Sequence, residues 1–304
     1  MNSDETASPD TDMHAVFGYA SDRGLRRELN EDSLIAADPI FAIADGMGGH
    51  EAGEVASSIC VRTLGDSPIV GKHLPEFSAE QLEALVKEAD HRIREATGGR
   101  AGTTLTGAVL VREGGNPYWL VFNVGDSRTY RLSHGVLEQI TVDHSEVQEL
   151  VDLGQITPDE ALVHPRRHVV TRALGTGNDA EADFWLIPVE PGDRLLVCSD
   201  GLTGEVADGH ILQILTSVTN PQDACAALVQ AALRSGGRDN VTVLVIDAEG
   251  GPDGHESAAI TLPGGAQEQQ PTGPRPVEGD PAGAGTDPAG AGTDPAVSRK
   301  TPEE

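Results

Sequence analysis

The 304-residue chain has little cysteine, little positive charge and no long apolar run. Its three cysteines, Cys60, Cys198 and Cys225, are odd in number, widely spaced and free of any CxxC pair. That excludes a disulfide framework and predicts reduced, buried thiols in a cytoplasmic protein. Lys and Arg total 21 against 49 Asp and Glu, a formal net charge of −28. A phosphate backbone needs a basic face, so nucleic acid is excluded as a partner, and an anionic membrane surface with it. No stretch approaches the ~18 consecutive apolar residues of a membrane helix. The acidic start (Asp4, Glu5, Asp10, Asp12) is the reverse of a signal peptide's charged end. With such a shell, an anionic substrate needs metal ions or a local arginine to be attracted at all.

Three regions follow from composition. Residues 1–13 are a polar, acidic lead-in expected to be disordered. Residues 14–247 carry the apolar periodicity of a folded domain. From about Ala248 to Glu304 the chain turns to Gly, Pro, Ala, Thr, Asp and Gln and repeats DPAGAGT at 280–286 and 287–293, a tail without a core to bury. Within the domain, HAVFGYA and SLIAA read as strands, Glu51–Leu64 as a helix, and the segment after Ser78 as a second, N-capped helix. Between Gly102 and Ile140 the period drops to two, and four strand candidates in a row predict an antiparallel meander. The stretch 145–175, with Pro158, Pro165 and the cluster HPRRH, breaks the pattern and predicts a flap beside the sheet. FWLIPVE and RLLVCSDG resume the strands, two helices follow at about 207–218 and 221–235, and NVTVLVID closes the domain.

The chemistry centres on FAIADGMGGHEAGE at 41–54, where an apolar run ends in Asp45-Gly46. One Asp-Gly is ordinarily a turn pair. Here the same grammar recurs at Asp126 in LVFNVGDSR, at Asp200 in LLVCSDG, in reverse order at Asp239 in GRDNVTVLV, and at Asp32 just before a strand. Five carboxylates at strand ends build negative charge at one sheet edge, which repels itself unless cations neutralise it. Oxygen ligands without a Cys/His pair point to Mg²⁺ or Mn²⁺. Two such ions about 3.5–4 Å apart activate a bridging water for attack on phosphorus. A phosphate dianion then needs a cationic clamp. Arg27 is the candidate, with Arg26 and Arg23 competing on composition alone.

RELNED, ADGMGGHEAGE, GTTLTG, NVGDSR, DHS, CSDGL and GRDNVTVLV stand in the order and spacing of bacterial PPM-type (protein phosphatase 2C-like) serine/threonine phosphatases, and the chain resembles that family over roughly 14–247. The resemblance implies an α+β fold, a four-layer αββα sandwich of two antiparallel sheets flanked by helices, with a flap subdomain. It implies two Mn²⁺ or Mg²⁺ ions per chain and a third, looser one. Asp45 would bridge the two metals, with the Gly46 carbonyl on one and Asp200 and Asp239 on the other. Glu31 and Asp32 would hold metal-bound waters, Arg27 would bind phosphate, and Asp126 would share the third metal with Asp200. Phosphorylated proteins, among them serine/threonine kinases and their substrates, are the implied partners, and a monomer is expected.

The chain also departs from relatives. Met47 follows Asp45-Gly46 where eukaryotic members carry a histidine that looks like the general acid, and His50 is the candidate substitute. In the flap, His168 stands where some relatives place a serine toward the third metal. Two readings compete with the protein phosphatase: a binding module that recognises phosphoproteins without turning them over, and a phosphatase of other phosphate monoesters. Retention of every core carboxylate and of the arginine argues against the binding module.

Overall fold

The computed structural model describes residues 13–48, 52–177 and 181–250, together with the backbone of 260–262. Among the described residues, twelve strands form two antiparallel sheets. In the first, β1 (Met13–Asp22), β11 (Val241–Gly250), β10 (Arg194–Cys198), β7 (Arg128–Ser133) and β8 (Val136–Gln139) lie side by side in that order. The second runs β12 (Ile260–Leu262), β2 (Asp32–Ala37), β3 (Ile40–Gly48), β5 (Leu105–Glu113), β6 (Asn116–Val124) and β9 (Asp183–Pro188), with the short β4 (Ala101–Thr103) paired to the end of β3.

Side-chain alternation explains the layering. In β2, Leu34 and Ala36 join Phe41, Ile43, Trp119, Val121, Leu195, Val197, Leu244 and Ile246 between the sheets. Ile35 and Ala37, one residue out of step, point to the opposite face and pack with α1 (Ala52–Gly65) and α2 (Ala79–Thr97). Both faces being covered, the strand reads as an unbroken apolar run rather than an alternating one. The first sheet's outer face is covered by α6 (Asp208–Ser217) and α7 (Pro221–Ser235) through Ile211, Leu215, Ala224, Leu228 and Val243. The result is the αββα sandwich implied by the resemblance. The helix expected after Ser78 begins there, with the Ser78 hydroxyl accepting from Gln81 N–H and the Gln81 side chain accepting from Ser78 N–H, and it ends on left-handed Gly98.

Two expectations change. The four strands of the supposed meander split between the sheets: β5 and β6 pair in one, β7 and β8 in the other. The chain crosses over at Gly125, whose φ of +107° suits glycine and whose missing Cβ would stand 2.6 Å from the Thr104 side chain. Period-two alternation signals a strand but does not say to which sheet it belongs. In the tail, Ile260–Leu262 adds an antiparallel edge strand to β2, where Ile260 and Leu262 interrupt a mostly small and polar stretch. The remaining tail residues beyond Gly250, and the lead-in before Met13, lie outside the described residues. Among the described residues no helix is long and apolar enough to cross a membrane.

The excursion expected at 145–175 leaves the sheet after β8, forms α3 (Glu146–Asp152) and α4 (Pro158–Leu162), and returns at β9. Its two ends are pinned by isolated bridges, Ser145 to Val170 and Thr103 to Leu174.

Candidate metal centre

The five aspartates come from five different chain turns at one edge of the sandwich. Asp32 opens β2 directly opposite Asp45 in β3, so two carboxylates face each other in register. Asp126 sits at the crossover, Asp200 opens the one-turn helix α5 (Asp200–Thr203), and Asp239 precedes β11. Their charges act on one another. Burial, then the charges of Asp32, Asp200, Asp126 and Asp239, hold the Asp45 carboxyl well above the usual carboxylate range. Asp32 is pushed up to about 7 by burial and then by Asp200 and Asp239, against the opposing bonds from Thr242 and Ser199. Asp126 is pushed up to about 8 by burial and the nearby Asp200 and Asp143 charges. Asp200 is raised too, by burial and Asp239, and it shares a hydrogen bond with Asp45.

Each carboxylate is fixed by its backbone. Asp45 N–H donates to the Thr104 hydroxyl at 3.1 Å, and its carbonyl accepts from Thr104 N–H at 2.9 Å and from the Thr103 hydroxyl at 2.9 Å. Gly46 N–H donates to the Glu31 carbonyl at 3.1 Å. A Cβ on Gly46 would stand 2.2 Å from the Gly53 carbonyl, and one on Gly53 would stand 2.5 Å from Glu31 Oε1, so these glycines let α1 press on the site. Glu31 itself is raised by burial and is hydrogen-bonded to the Gly53 backbone.

Of the three loop arginines, Arg27 reaches the cluster: its Nη2 donates to Asp239 Oδ2 at 2.7 Å, a bond that raises the guanidinium's pKa. Arg23 turns instead to the Glu28 carbonyl. In the flap, His168 Nδ1 lies 3.9 Å from Asp200 Oδ2, which brings it to the same edge. His50 lies outside the described residues.

Several residues that sequence reasoning passed over hold this assembly. Asn240 is almost fully buried and uses its whole amide: Nδ2 donates to the Arg23 and Leu29 carbonyls at 2.9 and 2.8 Å, and Oδ1 accepts from Glu31 N–H at 2.9 Å. It therefore ties the arginine loop to the turn that carries Asp239 ahead of β11. Ser199 Oγ donates to Asp32 Oδ2 at 2.9 Å while accepting from Thr242 N–H. His144 Nδ1 accepts from Gly125 N–H at 3.1 Å, so its Nε2 carries the proton and faces Asp183 Oδ2 at 3.0 Å, joining the flap's base to the Asp126 turn. Their signal in sequence is a polar residue set inside or against an apolar strand end, as in VCSDG and DNVTV.

The donor set fits a hard divalent cation. It is all oxygen, it holds more buried negative charge than its protein neighbours neutralise, and Asp32 Oδ1 is buried without a hydrogen-bond partner. Among the described residues no three acidic, histidine or cysteine side chains are converged into a finished coordination shell.

The protein phosphatase 2C family profile matches residues 26–235. Serine/threonine protein phosphatase PstP of Mycobacterium tuberculosis is 44% identical over 241 residues, a match that covers 76% of this chain and 45% of PstP, so the chain spans about half the length of that relative. Serine/threonine phosphatase Stp of Listeria monocytogenes is 36% identical over 251 residues, covering 78% of this chain and 96% of Stp. The crystal structure of the PstP catalytic domain in complex with two manganese ions superposes with a TM-score of 0.68 at 39% identity, covering 78% of this chain and 99% of that one.

Proposed function

The chain belongs to the protein phosphatase 2C family, and from that premise we propose that it hydrolyses phosphoserine and phosphothreonine in proteins with the help of Mn²⁺ or Mg²⁺. The observation that carries this reading is the placement of five aspartates at one edge of the sandwich, Asp32 paired in register with Asp45, with Arg27 on Asp239. Asp45, Asp200, Asp239 and the Gly46 carbonyl would hold two ions, and Asp126 with Asp200 a third. Bound there, such ions supply an activated water and neutralise charge developing on phosphate. Arg27 is half exposed, so its planar fork is able to leave Asp239 and take two phosphate oxygens, fixing the ester in line for attack. Asp32 has one oxygen held by Ser199 and one without a partner, which suits it to orient a water. Glu31, held by Gly53, sits beside it for the same task. His168 reaches Asp200 from the flap. In the cell the partners would be serine/threonine kinases and their substrates, met in the cytoplasm by a monomeric enzyme.

The test is hydrolysis of a phosphothreonine peptide by wild type and Asp239→Ala across a Mn²⁺ titration. Turnover only with metal, and a variant that needs far more metal or stays inactive, supports the assignment. A wild type that binds the peptide but leaves it intact at every Mn²⁺ concentration turns the reading into that of a phosphoprotein-binding module. Strong metal-dependent turnover by both proteins means the ligand assignment is wrong.

A further inference from the structure

A groove of about 250 Å³ lies beside the metal centre, lined by Met47, Gly48, Arg100, Ala101, Gly102 and Thr176 among others. Its floor is the pairing of β3 with β4, Met47 opposite Gly102 and Gly48 opposite Ala101, directly past Asp45-Gly46. The far wall, residues 173–177, is firmly placed. Leu174 bridges Thr103, and the buried Asp90 carboxylate accepts from Gly175 N–H at 2.7 Å. A Cβ on Gly102 would stand 2.6 Å from the Thr176 methyl, so glycine there keeps the groove open to its floor.

Among the described residues that line it, Arg100 is the one ionisable side chain. Its Nε donates to the Thr97 carbonyl at 3.1 Å, which seats the guanidinium on the end of α2, and among the described residues its two Nη groups meet no carboxylate. In a chain of net charge −28, nine described arginines, Arg27 and Arg128 among them, are each held by an acidic side chain, whereas Arg100, like Arg23 and Arg167, is bonded to a backbone carbonyl alone. Size narrows the occupant. Sites that enclose a whole small molecule run from about 300 to 1,000 Å³, so this groove takes one side chain. Distance narrows it further. Two strand residues cover about 7 Å, so a side chain seated by Met47 belongs to a residue one or two places from the residue whose phosphate lies at Asp45.

We propose that this groove is a substrate subsite that selects an acidic side chain, Asp or Glu, within two residues of the phosphorylated one, and that Arg100 is its specificity-determining residue. The proposal rests on the phosphatase reading above. General repulsion between an acidic enzyme and an acidic peptide makes such a sequence a poor substrate by default, and Arg100 supplies local attraction where the peptide must dock. The pair is solvent-accessible, so its effect is modest, about fivefold for gaining or losing it.

The experiment uses the full chain with Mn²⁺ and phosphothreonine peptides that differ only in carrying Glu, Gln or Lys at one of the two places on either side. Wild type should show its highest kcat/KM with Glu and its lowest with Lys at one of those places. Arg100→Gln should flatten the order, and Arg100→Glu should invert it, chiefly through KM. Turnover of p-nitrophenyl phosphate, too small to reach the groove, should stay within twofold for all three proteins. Inversion is a gain for Lys peptides, which misfolding does not produce. A Glu-to-Lys ratio that is the same in wild type and Arg100→Glu, with turnover intact, overturns the subsite alone. A wild type that hydrolyses neither peptides nor p-nitrophenyl phosphate overturns the phosphatase reading, and the subsite goes with it.

Discussion

The acidic cluster sets a pH dependence of stability opposite to that of a salt-bridged surface carboxylate. Asp32 is the member to perturb. It is almost fully buried and sits at about 7, because burial first and the charges of Asp200 and Asp239 next disfavour its ionised form. An aspartate in the unfolded chain titrates near ~3.9. Between those two values the folded protein keeps a proton that the unfolded chain has released. The stabilisation this gives is complete below pH ~3.9 and is lost as pH rises through about 7. The gap amounts to about 4 kcal/mol. Asp126, at about 8, acts in the same direction. Asp32→Asn removes the titration while keeping an oxygen to accept from Ser199 Oγ. In a domain of this size 1 kcal/mol moves Tm by about 2–4 °C. In excess EDTA, then, the variant should melt about 8–16 °C above wild type at pH 7.5 and within a few degrees of it near pH 4.5. The assay is thermal unfolding in EDTA at pH steps from 4.5 to 7.5, read as the difference between the two proteins so that titrations elsewhere cancel. Saturating Mn²⁺ at pH 7.5 should then raise wild type more than the variant, since ligand binding to the folded state adds stability by mass action. Parallel Tm curves for the two proteins across that range would refute the reasoning, because they would mean that Asp32 is as easily ionised folded as unfolded.

Other outcomes follow from the same contacts. Arg27→Ala should lower kcat/KM on a phosphothreonine peptide by about 10²–10³, the scale of losing one donor to a reacting oxyanion, and Arg27→Lys should recover little of it because a point charge does not replace the fork. A Cβ at position 201 would stand 1.9 Å from the Asn240 carbonyl, so Gly201→Ala should cost about 1–3 kcal/mol in a denaturant melt and raise the Mn²⁺ concentration for half-maximal activity by shifting Asp239. His144→Phe leaves the Gly125 N–H without its partner at a cost of about 1–3 kcal/mol, and hydrogen exchange should show protection lost first at 143–146 and 170–174.

How much of this was legible in the sequence differs by level. The aspartates could be read because each lies at the end of an apolar run, and a strand end is where a sheet delivers a side chain to an edge. The flap could be read because Pro158, Pro165 and charged residues interrupt period two. Sheet membership could not. The choice between continuing a meander and crossing to the other sheet is made at Gly125, by a backbone angle and its fit against Thr104, and neither leaves a mark on the hydrophobic pattern. The role of Asn240 was hidden for another reason. An asparagine after an aspartate looks like turn chemistry, and only the folded chain shows its amide spent on Arg23, Leu29 and Glu31, more than 200 residues away. His144 was hidden likewise, since its partners Gly125 and Asp183 are far from it in sequence.

These hidden residues answer a physical question the cluster itself raises. Five aspartates held at one edge repel, and the protein has to keep them there without neutralising them, because a carboxylate permanently paired with arginine offers nothing to a cation. The fold does this through the backbone. Thr103, Thr104, Ser199, Thr242 and Asn240 all bind main-chain groups next to the acidic residues or bind a single oxygen, so position is fixed while charge is left exposed to whatever binds. Arg27 differs in bringing a full positive charge into hydrogen-bond contact with one of these carboxylates. It does so from the solvent side, with Asp239 itself a third exposed, so that contact is the one a phosphate dianion is best able to exchange. A site built this way is costly in stability and leaves Asp32 Oδ1 buried without a hydrogen-bond partner. Under the proposed function, cations and phosphate would be the partners that offset that cost.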